Sequence, residues 1–218
     1  MPTIRHYSAA DRQAVREISC ETAVLGRPIG SLAPDREIFA DCITRYYTDY
    51  EPQALWVAES GGRVVGYVSG CLDSRRYRRV MAWNIVPPML LQALARGLLF
   101  KPASWRLIRA GWMTLRLGAA ADDALLEPYP AHLHINLREG FRGQGLGAKL
   151  IDTLENQLLA SGVAGLHAAI RSDNTAACRL FERLGFTVLF RQPIVWPQQY
   201  GFTRHERVFF VKCLTKAG

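Results

Sequence analysis

The stretch E-G-F-R-G-Q-G-L-G-A-K-L-I-D, Glu139 to Asp152, sets four glycines within eight residues and runs without a break into an amphipathic pattern. Glycine loses more conformational freedom on folding than any other residue, so such a density marks a place where backbone must approach something closely. Glycines just before a helix let main-chain N–H groups point outward at its positive end, an arrangement suited to a phosphate or pyrophosphate. A Walker A loop would need G-K-[S/T] after a four-residue gap, and G-A-K-L fails that test. A dinucleotide fingerprint fits Gly143, Gly145 and Ala148, yet no acidic residue closes the next strand at the required distance, and Asp173 comes too late. The pattern left is R/Q-x-x-G-x-G/A, met by Arg142, Gly145 and Gly147.

The flanking sequence predicts alternating strands and helices after an antiparallel start. T-I-R-H-Y reads as a strand, and a helix follows with Ser8 as N-cap and Ala10, Ala14, Val15 and Ile18 as its apolar stripe. A second helix is predicted from Asp35 to Tyr47. A-L-W-V-A-E-S, the turn G-G-R and V-V-G-Y-V-S-G-C-L then read as a half-buried hairpin. A-H-L-H-I-N-L is a strand entering the glycine loop. The helix from about Gln144 to Ser161 carries Leu146, Leu150, Leu154 and Leu158 at four-residue spacing. Strand G-L-H-A-A-I, a helix from Asn174 to Leu184, and strands F-T-V-L-F-R and R-V-F-F-V-K-C-L complete the chain. The fold class is α/β (α+β): a mixed, mostly antiparallel sheet with helices on both faces. Residues 1–218 read as one domain with a helical insertion at about 83–127, two apolar-faced helices separated by Pro102.

With the strand before it, the long helix after it and N-T-A-A-C-R-L-F-E-R-L-G-F downstream, the loop resembles the acyl-CoA pyrophosphate loop of the GNAT superfamily of N-acetyltransferases. The resemblance covers Ala131 to Arg191 well, and the first helix and hairpin by pattern only. It implies acetyl-CoA as co-substrate and a splayed pair of parallel strands, H-L-H-I-N-L and L-H-A-A-I-R, with pantetheine between them. Asn136 and Leu137 would hold pantetheine by their main chain. Arg142, Gly143, Gln144, Gly145, Leu146, Gly147 and Ala148 would cradle pyrophosphate, and Asn174 and Phe181 would line the cofactor. Phe181 occupies the position where relatives carry the tyrosine that protonates the departing thiolate, so another acid such as Tyr129 or Tyr67 acts or the thiolate leaves unaided. A thiol pKa of about 8.5 makes unaided departure tolerable. The histidine pair of A-H-L-H-I-N-L also resembles the acetyltransferase-like domain of bacterial O-GlcNAc hydrolases.

Strand periodicity sets His132, His134 and Asn136 on one face and Leu133, Ile135 and Leu137 on the other. A neutral imidazole beside the thioester can take the amine's proton. His134, one alternation nearer the loop, is ranked first and His132 second, with His167 and Glu127 in reserve, and the acid limb of the rate is expected in the ordinary histidine range. The predicted function is acetyl transfer from acetyl-CoA to an amine of a small molecule or protein. A non-catalytic acyl-CoA-binding or regulatory module is the alternative raised by Phe181. The acceptor pocket is assigned to Gly26–Pro34, the helical insertion and the Gln192–Glu206 stretch, read as a connecting loop with Trp196, Tyr200 and Phe202 as aromatic anchors.

Charge and cysteines narrow the class. The net charge is +8, 23 of the 27 basic residues are Arg, and the one cluster is R-R-Y-R-R, Arg75 to Arg79. No nucleic-acid reader motif accompanies it, and an anionic small ligand fits the charge equally well. Five scattered cysteines without a C-x-x-C pair argue for reduced thiols in a cytoplasm and against a zinc site or other metal. No export signal is visible and no apolar run suits a membrane span; the insertion reads as a helical hairpin packed on the domain, with a lid over an apolar substrate, a homodimer surface or a membrane-surface contact as the alternatives.

Overall fold

The computed structural model describes residues 2–118, 124–198 and 200–214. Its seven-stranded sheet has the order β1-β2-β3-β4-β5-β7-β6. The strands are β1 (Thr3–His6), β2 (Leu55–Ser60), β3 (Arg63–Cys71), β4 (Ala131–Leu137), β5 (Gly165–Arg171), β6 (Thr187–Pro197) and β7 (Phe202–Cys213). Every neighbouring pair is antiparallel except β4 with β5.

Helices cover both faces. On one, α6 (Leu146–Ala160) presents Leu146, Leu150, Leu154 and Leu158, all buried, to a core that includes Val68, Leu133, Leu166 and Phe210. Each such leucine stabilises the fold by roughly 1.5–3 kcal/mol through removal from water. Leu154 lies so close to Gly70 that a Cβ there would sit 2.6 Å from its Cδ1. On the other face α1 (Arg12–Glu21) and α2 (Arg36–Asp49) bring Val15, Ile18, Tyr46 and Tyr47 onto Leu55, Val57 and Tyr67. β3 therefore lies between two cores and is buried along its length after Arg63, not half-buried as its hairpin sequence suggests. Ala10 departs from the predicted stripe as well. A 3-10 turn over Ala9–Asp11 precedes α1 and leaves Ala10 exposed, while Asp11 accepts from Ser8 N (2.8 Å) and pairs with Arg5 (2.7 Å). Asp35 caps α2 by accepting from Glu37 N (2.9 Å) and Ile38 N (3.1 Å).

Helices occupy the chain between β3 and β4 from Ser74 onward. Asp73 caps α3 (Ser74–Val80), which continues through a π turn at Met81–Ile85 into α4 (Val86–Ala95). The prolines at 87 and 88 supply no N–H to the preceding turn, and the Val86 N–H reaches back five residues to Met81 O. That shift to i→i−5 bonding is how the chain passes the prolines without breaking the helix. Gly97 (φ +63°) ends α4, a 3-10 turn follows at Leu98–Phe100, and Pro102 opens α5 (Pro102–Arg116). Part of the segment expected to close the insertion, 119–123, lies outside the described residues.

The stretch read as a loop between the last strands is mostly strand. β6 and β7 pair as far as Pro197↔Phe202. Pro193 and Pro197 are accommodated because β6 is the sheet's edge, where a missing N–H breaks no ladder. On that edge the Val195 N–H donates to Thr114 Oγ1 of α5 (2.9 Å).

Candidate active site

β4 and β5 pair at only two positions, Ala131↔Leu166 and His132↔His167. Each is held along its outer side: β4 by β3 from His132 to Leu137, β5 by β7 from Gly165 to Arg171. Past His132 the two strands part, and among the described residues the backbone edges facing the gap have no strand partner. The gap opens into a cleft of about 830 Å³ walled by β4, β5, the glycine loop, α7 (Thr175–Arg183) and the Thr22–Gly26 turn. The splayed pair implied by the family resemblance is present.

The glycine loop closes one end. Gly143 and Gly145 have φ of +74° and +76° with open space where a Cβ would stand, so both are glycine for conformation, not for crowding. The helical ladder begins with Lys149 N–H donating to Gly145 O (3.2 Å), which leaves the N–H groups of Leu146, Gly147 and Ala148 at the helix mouth. Leu146 contributes only its backbone, since its side chain is in the core. Gly147 serves packing too: a Cβ would lie 3.3 Å from Leu180 Cδ2 of α7. Arg142 is a brace, donating through Nε to Leu137 O (2.8 Å) and through its terminal nitrogen to Gly26 O (2.9 Å). Gln144 donates to Gly140 O (2.9 Å). Leu25, beside Gly26 in the wall, holds φ +52°, a conformation side chains rarely adopt and one the sequence does not announce.

Sequence reasoning missed Arg179 and Arg183. They stand one helical turn apart on α7 and line the cleft with Arg142 and Arg171, and no carboxylate lines it. Their i, i+4 spacing after the Asn174 cap was the available signal. Asn174 accepts from Ala177 N (3.3 Å) as the N-cap and also borders the cleft. Phe181 borders it from the core, 4.9 Å from Phe186 and 6.0 Å from Phe210 between ring centres.

The histidines divide by their partners. Ser74 Oγ donates to Pro130 O (2.8 Å), which makes His132 Nδ1 (2.7 Å from that Oγ) a donor and leaves Nε2 to accept from Tyr47 Oη (2.9 Å). Both ring nitrogens of His132 are thereby committed. Burial, then His134, His167 and Arg78, hold its pKa well below the usual histidine value. His134 lies two residues past the last paired position, 5.7 Å from the Tyr47 ring and 5.9 Å from His132. Its imidazole is crowded by protein on the sheet side but keeps an exposed surface in the cleft. That crowding, with His167 and Arg207 nearby, pushes its pKa down to about 4. His134 is therefore neutral at pH 7.

The reserve residues lie elsewhere. His167 sits at the paired end of the strands with Nδ1 on Tyr129 O (2.7 Å), and Glu127 is an exposed partner of Arg75. Tyr129 packs against Gly165 at that same closed end, outside the cleft lining. Tyr67 is buried, with its pKa raised by that burial, and accepts from Asn136 Nδ2 (2.8 Å). The Asn136 Oδ1 lies 2.8 Å from Thr22 Oγ1, so its side-chain amide is held between Tyr67 and Thr22. Neither tyrosine is placed to protonate a group in the cleft.

Residues 110–186 match the model of the Acetyltransferase (GNAT) family. An acetyltransferase of Yersinia enterocolitica is 30% identical over 97 residues, 41% of this chain and 69% of its own length. The L-methionine sulfoximine/L-methionine sulfone acetyltransferase of Pseudomonas aeruginosa is 37% identical over 67 residues, 31% of this chain but only 38% of its own. Among solved structures, SsHAT superposes with a TM-score of 0.71 at 25% identity, covering 99% of both chains. The yncA protein of Salmonella typhimurium, solved with acetyl-CoA, has a TM-score of 0.59 at 19% identity over 100% of this chain and 96% of its own. Splayed strands, the glycine-opened helix between them and these matches together place the chain in the GNAT acetyltransferase family.

Proposed function

We propose that this chain moves an acetyl group from acetyl-CoA to the amine of a small molecule that also carries an anionic group, acting as one domain. The observation that carries the reading is the parting of β4 from β5 directly beside His134, with the glycine-opened end of α6 at the same cleft. The residues present fit the cofactor. The free edge of β4 around Asn136 and Leu137 would bind pantetheine amides, the N–H groups of Gly145 to Ala148 would bind pyrophosphate, and Arg179 and Arg183 would balance the phosphate charge. When bound, acetyl-CoA supplies an activated acyl group.

His134 takes the proton that the amine sheds. A base with a pKa of about 4 cannot strip an alkylammonium, so the amine must arrive neutral, and His134 accepts its proton only as the nitrogen becomes acidic on bonding to carbon. His132 positions: its hydrogen bonds to Tyr47 and Ser74 fix the edge of the pocket that the acceptor meets. With Phe181 in place of a hydroxyl, no side chain of the cleft lining donates a proton to the departing thiolate, whose modest basicity makes that acceptable.

Arg207 favours an acceptor with an anionic group. It is close enough to His134 to depress its pKa, and none of the ion pairs among the described residues engages it. The Pseudomonas relative is named for two L-methionine derivatives, a class that fits this requirement. Thiol release from acetyl-CoA, measured across amino acids, their amides and simple amines, tests the reading. Turnover is expected for acceptors with a free carboxylate. Binding of CoA with no turnover of any amine would favour a non-catalytic module instead.

A further inference from the structure

Residues 74–118 contain nine of the 27 cations and none of the 19 acids, so the rest of the chain carries slightly more negative than positive formal charge. The same segment carries most of the exposed large apolar side chains among the described residues. Trp83 is 80% exposed, Leu91 67% and Phe100 90%, with Leu90 and Leu94 of α4 beside them. On α5, Trp105, Ile108, Trp112 and Leu115 recur at three- and four-residue intervals and form one exposed stripe, while Ala110 and Thr114 face inward. Trp105 Nε1 donates to Leu99 O (2.8 Å), which joins the α5 stripe to the Leu98–Phe100 turn. Arg75 pairs with Glu127 and Arg96 with Asp35, but Arg79, Lys101, Arg109 and Arg116 have no carboxylate partner among the described residues. Arg116 lies over the Trp112 ring at 3.6 Å.

The geometry points to an anionic membrane surface as the occupant of this face, with the Phe100 turn and the tryptophan stripe of α5 set into the lipid headgroup layer and the cations that lack a carboxylate partner on lipid phosphates. Exposed Trp, Phe and Leu rimmed by Arg and Lys have the composition of an interfacial helix, in which the rings sit at the boundary and the long cationic stems reach the headgroups. No helix among the described residues is long and apolar enough to cross a membrane, so the contact is a surface one. A second copy of the chain is the poorer occupant, because it would set one acid-free cationic face against another. No residue of 74–118 lines the cleft, so docking leaves the catalytic cleft open.

The test is co-sedimentation of the full chain with vesicles of phosphatidylcholine alone or with about 30% phosphatidylglycerol, at about 0.1 M salt, with tryptophan emission read in parallel. The expected result is at least ~10-fold tighter binding to the anionic vesicles, weakened by salt, with a blue shift of the exposed tryptophans. Phe100→Ser with Ile108→Ser keeps every charge, and binding should fall at least ~10-fold while thiol release in solution is unchanged. The tryptophan shift in the unaltered protein gives the same answer without any substitution. Three results would overturn the proposal: no preference for anionic vesicles; binding indifferent to the double substitution and without a blue shift; or a stable dimer in light scattering that the double substitution dissociates.

Discussion

The proton-accepting role of His134 is open to a test whose size follows from its surroundings. Burial against the sheet, with His167 and Arg207 near, places its pKa at about 4 against an ordinary value of 6.5. At pH 5.5 an ordinary histidine would be about 90% protonated and its contribution cut about tenfold, whereas a group at about 4 would be only ~3% protonated. The measurement is the ratio of kcat/KM for the unaltered enzyme to that of His134→Gln, from pH 8 to pH 5, so that acceptor protonation cancels. The ratio should be ~100 or more at pH 7 and nearly as large at pH 5.5, with CoA affinity little changed. Circular dichroism at each pH establishes that both proteins stay folded. A ratio that halves near pH 6.5 would refute the depressed pKa, and a ratio near one throughout would refute the role itself.

Gly145→Val should weaken CoA binding about tenfold or more by calorimetry, because a β-branched residue cannot hold φ +76° and the loop must move its N–H groups; unchanged affinity in a folded protein would remove the loop from the cofactor site. Leu154→Ala should cost about 2–5 kcal/mol in denaturant unfolding, since the vacated space lies against Gly70 deep between α6 and the sheet. His132 binds no proton in the fold until well below its usual pKa, whereas the unfolded chain protonates it below about 6.5. Stability should therefore be complete above that value and fall as pH drops below it, and His132→Gln should flatten that slope in pH-dependent melts.

The sequence was most legible where local chemistry and tertiary structure agree. The four leucines of α6, the helix starts at Asp35 and Asn174 and the alternation of β4 depend on local pattern alone, and each lies where expected. What could not be read depends on contacts between distant segments. β3 looks half-buried because its residues alternate, yet α6 covers one of its faces and α1 and α2 the other. The Gln192–Glu206 stretch looks like a loop because it holds two prolines, and it is strand because it lies at an edge. At the site, His132 and His134 are indistinguishable by type and neighbours in sequence. Only Tyr47 and Ser74, brought in from α2 and α3, occupy one ring and leave the other available. Arg142 matched the loop pattern, but its direction was set by Gly26, 116 residues away.

The Thr114–Val195 hydrogen bond gives α5 a second duty. An eleven-residue edge strand is a ready template for pairing with another chain, and exposed strand edges are where folded proteins begin to aggregate. The two prolines interrupt that template, and α5 occupies one of the N–H groups remaining between them. A chain trimmed of 74–118 would shed its most apolar surface yet uncover a stretch of sheet edge. It should grow less soluble, its aggregates built strand to strand and not helix to helix.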